Sequence, residues 1–254
     1  MGRIISVVNQ KGGVGKTTTA INVASFLAQM GKYVLVVDID PQGNATSGMG
    51  INPEKIDKGV YEAISGEHDF KDVIYSTQID GLHHAPATMS LAGANVEMVN
   101  LENREFLLHN TLSEVKPNYD FIIIDCPPSL GLLTLNGLVA ADELLVPVQC
   151  EYYALEGLGQ LLNTVELVKQ NLKPDIKVLG AILTMYDRRN KLSNEVLMEI
   201  YKYFPNKVFR SVIPRNVKLA EAPSHGKPIA IYDPKSKGGR AYEKLAREIL
   251  LTEN

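Results

Sequence analysis

The stretch Asn9-Gln10-Lys11-Gly12-Gly13-Val14-Gly15-Lys16-Thr17-Thr18 follows directly on the apolar run Ile4 to Val8, and few stretches restrict a fold so tightly. A short β-branched run that breaks into glycines and then into a helix-forming segment predicts the strand, loop and helix of a phosphate-binding P-loop. Gly12, Gly13 and Gly15 lack a Cβ, so the backbone can take strained dihedrals and bring its N–H groups to phosphate oxygens. Lys16 adds a point charge. A helix beginning at Thr17 aims unpaired N–H groups and its positive dipole end at the same anion. Lys11, Val14 and Thr18 complete the expected nucleotide contacts, and Thr17 stands where a hydroxyl reaches Mg2+.

The 254 residues alternate apolar runs with helical stretches, which predicts one α/β domain over 1–254 with a mostly parallel twisted sheet and helices on both faces. No apolar run approaches the roughly 18 residues of a spanning helix. Met1-Gly2-Arg3 leads at once into a strand, so no cleavable signal is expected. Cys126 and Cys150 each end an apolar run, where buried reduced thiols and a cytoplasmic setting are expected. The slight overall acidity argues against a polyanion partner, but its distribution does not. Residues 1–185 carry 12 basic against 21 acidic side chains, whereas 186–254 carry 14 against 8. That asymmetry suggests a polyanion contact in the final quarter.

Further along, Val34 to Val37 reads as a fully buried strand delivering Asp38 and Asp40 to the carboxyl edge of the sheet, where ligands of open α/β folds bind. Asp40 can orient or deprotonate the water that attacks a γ-phosphate, and Asp38 is a weaker metal candidate. Strands are expected at Val73 to Tyr75 and Leu82 to Ala85, with mainly helix from Leu91 to Val115. His68, His83 and His84 lack metal-ligand spacing and read as structural or exposed. Phe121 to Asp125 is a buried strand ending in a carboxylate, a Walker B arrangement in which Asp125 holds Mg2+ through water. Pro127, Pro128 and Ser129 follow as a loop placed to sense the γ-phosphate. A helix over Leu155 to Val168, strands at Leu144 to Val148 and Leu179 to Met185, and a C-terminal helix from Ala241 to Leu251 complete the outline.

Lys11-Gly-Gly-x-Gly-Lys-Thr-Thr departs from the usual P-loop pattern, because Gln10 occupies the position of the first glycine. With Asp38-Ile-Asp-Pro-Gln-Gly-Asn44, Ile122-Ile-Ile-Asp-Cys-Pro-Pro-Ser129 and Ile213-Pro-Arg-Asn216, this form resembles the ParA (Soj) type of partition ATPase, in the deviant Walker A ParA/MinD class. The resemblance runs from Ile4 to about Tyr242. It implies an ATPase using ATP and Mg2+, with Lys11, Lys16 and Asp40 in catalysis and Asp40 as the hydrolytic aspartate. Lys11 would cross to a partner's nucleotide, giving an ATP-bound homodimer whose face includes Cys150 to Tyr153. Pro214 and Asn216 would border the adenine.

The resemblance also implies nonspecific double-stranded DNA binding and a ParB-type centromere-binding partner, with the protein cytoplasmic and nucleoid-associated. Arg189 falls on an arginine that contacts DNA in similar proteins. Arg188, Lys191, Lys218, Lys235 and Lys237 are further candidates, as are Lys227 and Arg240. With no helix-turn-helix, zinc finger or stacking platform, such binding would run through phosphates and fall steeply with salt.

Three alternatives remain. A membrane-cycling MinD-type ATPase would need a basic amphipathic tail, whereas this chain ends Leu250-Leu-Thr-Glu-Asn254. An electron-transfer ATPase like the nitrogenase iron protein would need two cysteines facing a dimer axis. A small-molecule kinase or ligase would need a motif for a second substrate, and none is found.

Overall fold

The computed structural model describes residues 2–151, 154–187 and 189–252, with the side chains of 95, 154–156 and 191–194 excepted. Its strands are β1 (Arg3–Val7), β2 (Val34–Asp38), β3 (Tyr75–Ser76), β4 (Leu82–Ala85), β5 (Phe121–Asp125), β6 (Glu143–Gln149), β7 (Lys177–Tyr186) and β8 (Val208–Pro214). They form one sheet in the order β3-β4-β2-β5-β1-β6-β7-β8. All pairs are parallel except β3 with β4.

Alternation along the central strands divides the core into two layers. Ile5, Val7, Val34, Val36, Phe121 and Ile123 face one side, beneath α1 (Lys16–Gln29) and the last helix, Lys237–Leu251. Ile4, Val8, Leu35, Val37, Ile122 and Ile124 face the other. That side is covered by helices that include Val60–Ile64, Leu107–Val115, Leu132–Ala140, Ala154–Asn171 and Lys191–Tyr203. A sheet sandwiched in this way has no solvated face, which is why its strands are continuously apolar.

The structure adds one long-range pairing and changes two expectations. The crossover from β1 reaches β2, but β5 lies between them, in register as Val7↔Asp125 and Asp125↔Asp38. The strand beside the P-loop is therefore that of Asp125, and Asp38 stands one strand further out. The long helix expected over Leu91 to Val115 is broken into short turns before Leu107–Val115, one break falling at Asn103, whose φ is 53°. The strand expected over Val73 to Tyr75 shrinks to Tyr75–Ser76, because Phe70–Val73 is a 3-10 turn with Phe70 and Val73 buried.

The final helix starts four residues earlier than its apolar stripe indicates. Ser236 caps it by accepting from the Gly239 N–H at 3.0 Å. Gly238 and Gly239 are not breakers here. A Cβ on Gly238 would lie 2.6 Å from Leu219, and one on Gly239 2.5 Å from the Pro234 carbonyl oxygen, so close packing demands glycine at both.

Candidate nucleotide site and basic groove

Between β1 and α1 the chain turns through Gly13 and Gly15, whose φ angles of 73° and 89° exclude most side chains. Gly12 is not in that region, and a Cβ there would meet Pro128 at an ordinary 3.9 Å. Two neighbours anchor the loop. The Asn9 amide donates to the Pro147 carbonyl on β6 at 2.7 Å and accepts from the Lys11 N–H at 3.0 Å. Thr184 on β7 donates to the Val14 carbonyl at 2.7 Å. Sequence reading assigns neither residue a role. Thr184 carries no local signal, since only the sheet order brings it beneath the loop.

The two lysines part company. Lys16 is buried and donates to the Lys11 carbonyl at 3.0 Å. Burial lowers its pKa, against the opposing charge of Asp125. The Lys11 ammonium instead points outward to Glu151, Nζ to Oε2 3.5 Å, with about a third of its side chain exposed. Glu151 also accepts from Gln149 at 2.5 Å and faces Arg215 at 3.9 Å. Tyr152 and Tyr153, in the segment expected at a dimer face, lie outside the described residues.

A cavity of about 550 Å³ opens above the loop, lined by Gly12, Gly13, Gly15, Lys16, Thr17 and Thr18 together with Asp40, Pro128, Met185 and Lys227. Asp40 is buried and shares this cavity with the loop, its Oδ1 accepting from the Gln42 N–H at 3.0 Å. Asp125 is fully buried near the Thr17 hydroxyl, and neither of its carboxylate oxygens takes a well-formed hydrogen bond. Burial pushes its pKa well up, and the neighbouring Asp38 pushes the same way. A carboxylate buried at such cost beside a hydroxyl and a phosphate-type loop fits a divalent cation that keeps most of its water and phosphate ligands.

Asp38 is engaged differently. Its Oδ2 accepts from the Thr46 N–H and hydroxyl, both at 2.8 Å, and its Oδ1 from the Asp40 N–H at 3.1 Å. Burial raises its pKa to about 6. These bonds tie Asp38, the weaker metal candidate, to the loop that carries Asp40.

His84 is buried on β4 with Nε2 3.2 Å from the Thr46 hydroxyl, and burial lowers its pKa to about 3. It therefore stays neutral when folded, while an unfolded chain takes up the proton near 6.5. This contribution to stability is whole above pH 6.5 and is lost as pH falls towards 3. In urea unfolding, His84→Gln should therefore gain on the wild type as the medium is acidified, by up to about 1.4 kcal/mol per pH unit between about pH 6 and 4. A difference that does not vary with pH would contradict this.

Pro214 and Asn216, expected at the adenine, do not line the 550 Å³ cavity. Pro214 ends β8 on the wall of a neighbouring groove, and the buried Asn216 Oδ1 has no hydrogen-bond partner. That groove, about 1070 Å³, is lined by Arg189, Arg210, Arg215, Lys237, Arg240 and Lys244, with Asp187 and Glu248 also present. Of the expected DNA contacts, Arg189, Lys237 and Arg240 are in it. Arg189 is exposed and grips Asp187 through Nε at 3.1 Å and Nη2 at 2.8 Å.

Lys218 is not in the groove. It pairs with Glu221 at 2.8 Å and lies over Tyr232. Lys235 does not line the groove either, and Arg188 and the Lys191 side chain lie outside the described residues. Arg210, Arg215 and Lys244 are groove residues that sequence reading does not single out. Lys237, Arg240 and Lys244 recur at three and four residues, a helix-face spacing that beginning the helix at Ala241 conceals.

A first strand feeding a glycine loop, with a buried aspartate at the end of the adjacent strand, defines the P-loop class of nucleotide-binding proteins. A family model described as an AAA domain matches residues 2–178. The chain is 56% identical over 249 residues to the sporulation initiation inhibitor protein Soj of Bacillus subtilis, covering 98% of each. To the chromosome partitioning protein ParA of Myxococcus xanthus it is 54% identical, covering 98% of this chain and 88% of that one. Among solved structures it is similar to cobyrinic acid a,c-diamide synthase from Mycobacterium smegmatis with bound ATP analog and magnesium, at 39% identity and TM-score 0.88 over 98% and 94% of the two chains. It also resembles the septum site-determining protein MinD from Pyrococcus horikoshii complexed with Mg-ADP, at 28% identity and TM-score 0.81 over 98% and 96%. The chain belongs to the ParA/Soj-type P-loop ATPases of the ParA/MinD family.

Proposed function

We propose that this chain is an ATP-driven dimerisation switch, whose ATP-bound dimer binds double-stranded DNA through phosphates and serves chromosome or plasmid partition in the cytoplasm, on the nucleoid. The observation that carries this reading is the divergence of the two lysines. Lys16 is committed to its own loop, while Lys11 projects from the loop entrance with its charge held, among the described residues, by an exposed carboxylate. A surface ion pair of that kind is worth about 1 kcal/mol or less, so a triphosphate on a second copy would displace Glu151. Lys11 would then bind the partner's nucleotide and close the two protomers face to face.

The glycine-loop N–H groups and Lys16 bind the β- and γ-phosphates. Asp40 orients the attacking water and accepts its proton. Thr17 and Asp125 would hold Mg2+, which would supply charge neutralisation on the phosphate oxygens. Hydrolysis removes the γ-phosphate, Lys11 returns to Glu151, and the dimer opens. Turnover is slow unless a ParB-type partner stimulates it.

Dimerisation doubles the basic groove, and two grooves on one body hold DNA by avidity. The membrane reading loses support from the last helix, whose apolar residues Tyr242, Leu245, Ala246 and Ile249 are buried against the core. The test is DNA retention against salt with ATP, ADP and no nucleotide in parallel. Retention should require ATP and fall steeply with salt. Arg240→Glu should still dimerise yet lose about 10-fold or more in DNA affinity, with the log–log salt slope shallower by about 1 for each phosphate ion pair removed. Equal retention in all three nucleotide states, or capture by anionic liposomes with ATP, would overturn the reading.

A further inference from the structure

Thr46 lies on the short helix Asn44–Gly48, eight residues beyond Asp38, and its hydroxyl, which does not itself line the nucleotide cavity, is the junction of a buried polar chain. The Thr46 Oγ1 donates to Asp38 Oδ2 at 2.8 Å and accepts from the Ala87 N–H at 3.0 Å, with His84 Nε2 at 3.2 Å. A hydroxyl has one proton and two lone pairs. With the proton given to Asp38 and one lone pair filled by Ala87, the remaining lone pair takes the Nε2–H of His84. That fixes the imidazole tautomer and leaves Nδ1 without a partner.

From Asp38 the chain continues to Asp40 through the bond from the Asp40 N–H, and Asp40 is held further on by the Gln42 N–H. We propose that Thr46, supported by His84 from β4, is a positioning residue that aims Asp40 at the attacking water by fixing the Asp38 carboxylate. This rests on the reading of Asp40 as the hydrolytic group. Apolar side chains would fill the same space at lower desolvation cost, whereas this chain uses buried polar groups to fix one orientation at each link. The phosphate cradle is not part of the chain, so its loss should alter turnover rather than nucleotide binding.

The test is steady-state ATP hydrolysis by the full-length protein with Mg2+, with thermal melts run alongside. Thr46→Val should lower kcat about 10-fold, the scale expected for misaiming a catalytic group by a fraction of an ångström, while KM for ATP changes by less than about 2-fold. Thr46→Ser, which keeps the hydroxyl, should recover most of the loss. His84→Leu should lower kcat in the same sense, and His84→Gln, which offers an amide N–H near the Nε2 position, should recover it. In an Asp40→Ala background Thr46→Val should cost nothing further. If Thr46→Val does not fold, the two His84 variants decide alone. Wild-type kcat in Thr46→Val or in His84→Leu, or a loss that multiplies with that of Asp40→Ala, would overturn the proposal. Normal hydrolysis by Asp40→Ala would instead overturn the functional reading beneath it.

Discussion

With Asp40 replaced by alanine, ATP turnover should fall by at least about 100-fold while ATP-bound dimers accumulate, since a positioned general base contributes roughly 10²–10⁴ in rate. The site separates the two effects. Asp40 shares the cavity with the glycine loop, but the groups proposed to hold phosphate come from that loop and Lys16, anchored independently by Asn9 and Thr184. Removing the carboxylate leaves the anion cradle intact and even relieves some negative charge near the γ-phosphate. Binding should therefore be kept or strengthened, and a protein trapped before hydrolysis should stay on DNA. Single-turnover hydrolysis, with DNA retention measured on the same preparation, checks both halves. Loss of ATP binding together with hydrolysis would place Asp40 in the cradle instead.

Charge reversal at Lys11 should have the larger consequence, because it acts on assembly. Among the described residues Lys11 makes one exposed ion pair, with Glu151, and its carbonyl rather than its ammonium serves Lys16. A Lys11→Glu variant should therefore bind ATP through Lys16 with at most a few-fold change, yet lose dimerisation. In a dimer the new carboxylate would face the partner's triphosphate, and like charges brought together at a desolvated interface cost several kcal/mol, about 1000-fold in the dimer constant.

Local patterns carry most of the fold. Val34 to Val37 and Phe121 to Asp125 announce buried strands because both faces are covered, and the glycine loop announces itself by chemistry. Their arrangement is not legible, because the insertion of β5 between β1 and β2 is a long-range pairing. Leu132–Ala140 escapes a sequence reading since it is buried almost all round and shows no 3.6-residue contrast. Lys191–Tyr203 escapes it because its start reads as part of a basic loop.

At the site, Lys16 and Asp125 can be found from spacing, whereas Thr46 and His84 cannot. They lie 38 residues apart in sequence, and only the pairing of β4 with β2 brings the imidazole to the hydroxyl. The basic groove is half legible. Lys237 and Arg240 can be named from the sequence, but Arg210 on β8 and Arg215 just beyond it join them only through the packing of that strand against the last helix.

In the proposed switch the outward lysine would be the link between nucleotide and assembly. Analytical ultracentrifugation of the wild type and Lys11→Glu, each with ATP, with ADP and without nucleotide, and in an Asp40→Ala background to prevent hydrolysis, measures that link directly. The wild-type lysine should give dimers with ATP alone, and Lys11→Glu should remain monomeric in every condition while still binding ATP. Dimers of Lys11→Glu forming with ATP as readily as those of the parent would contradict it.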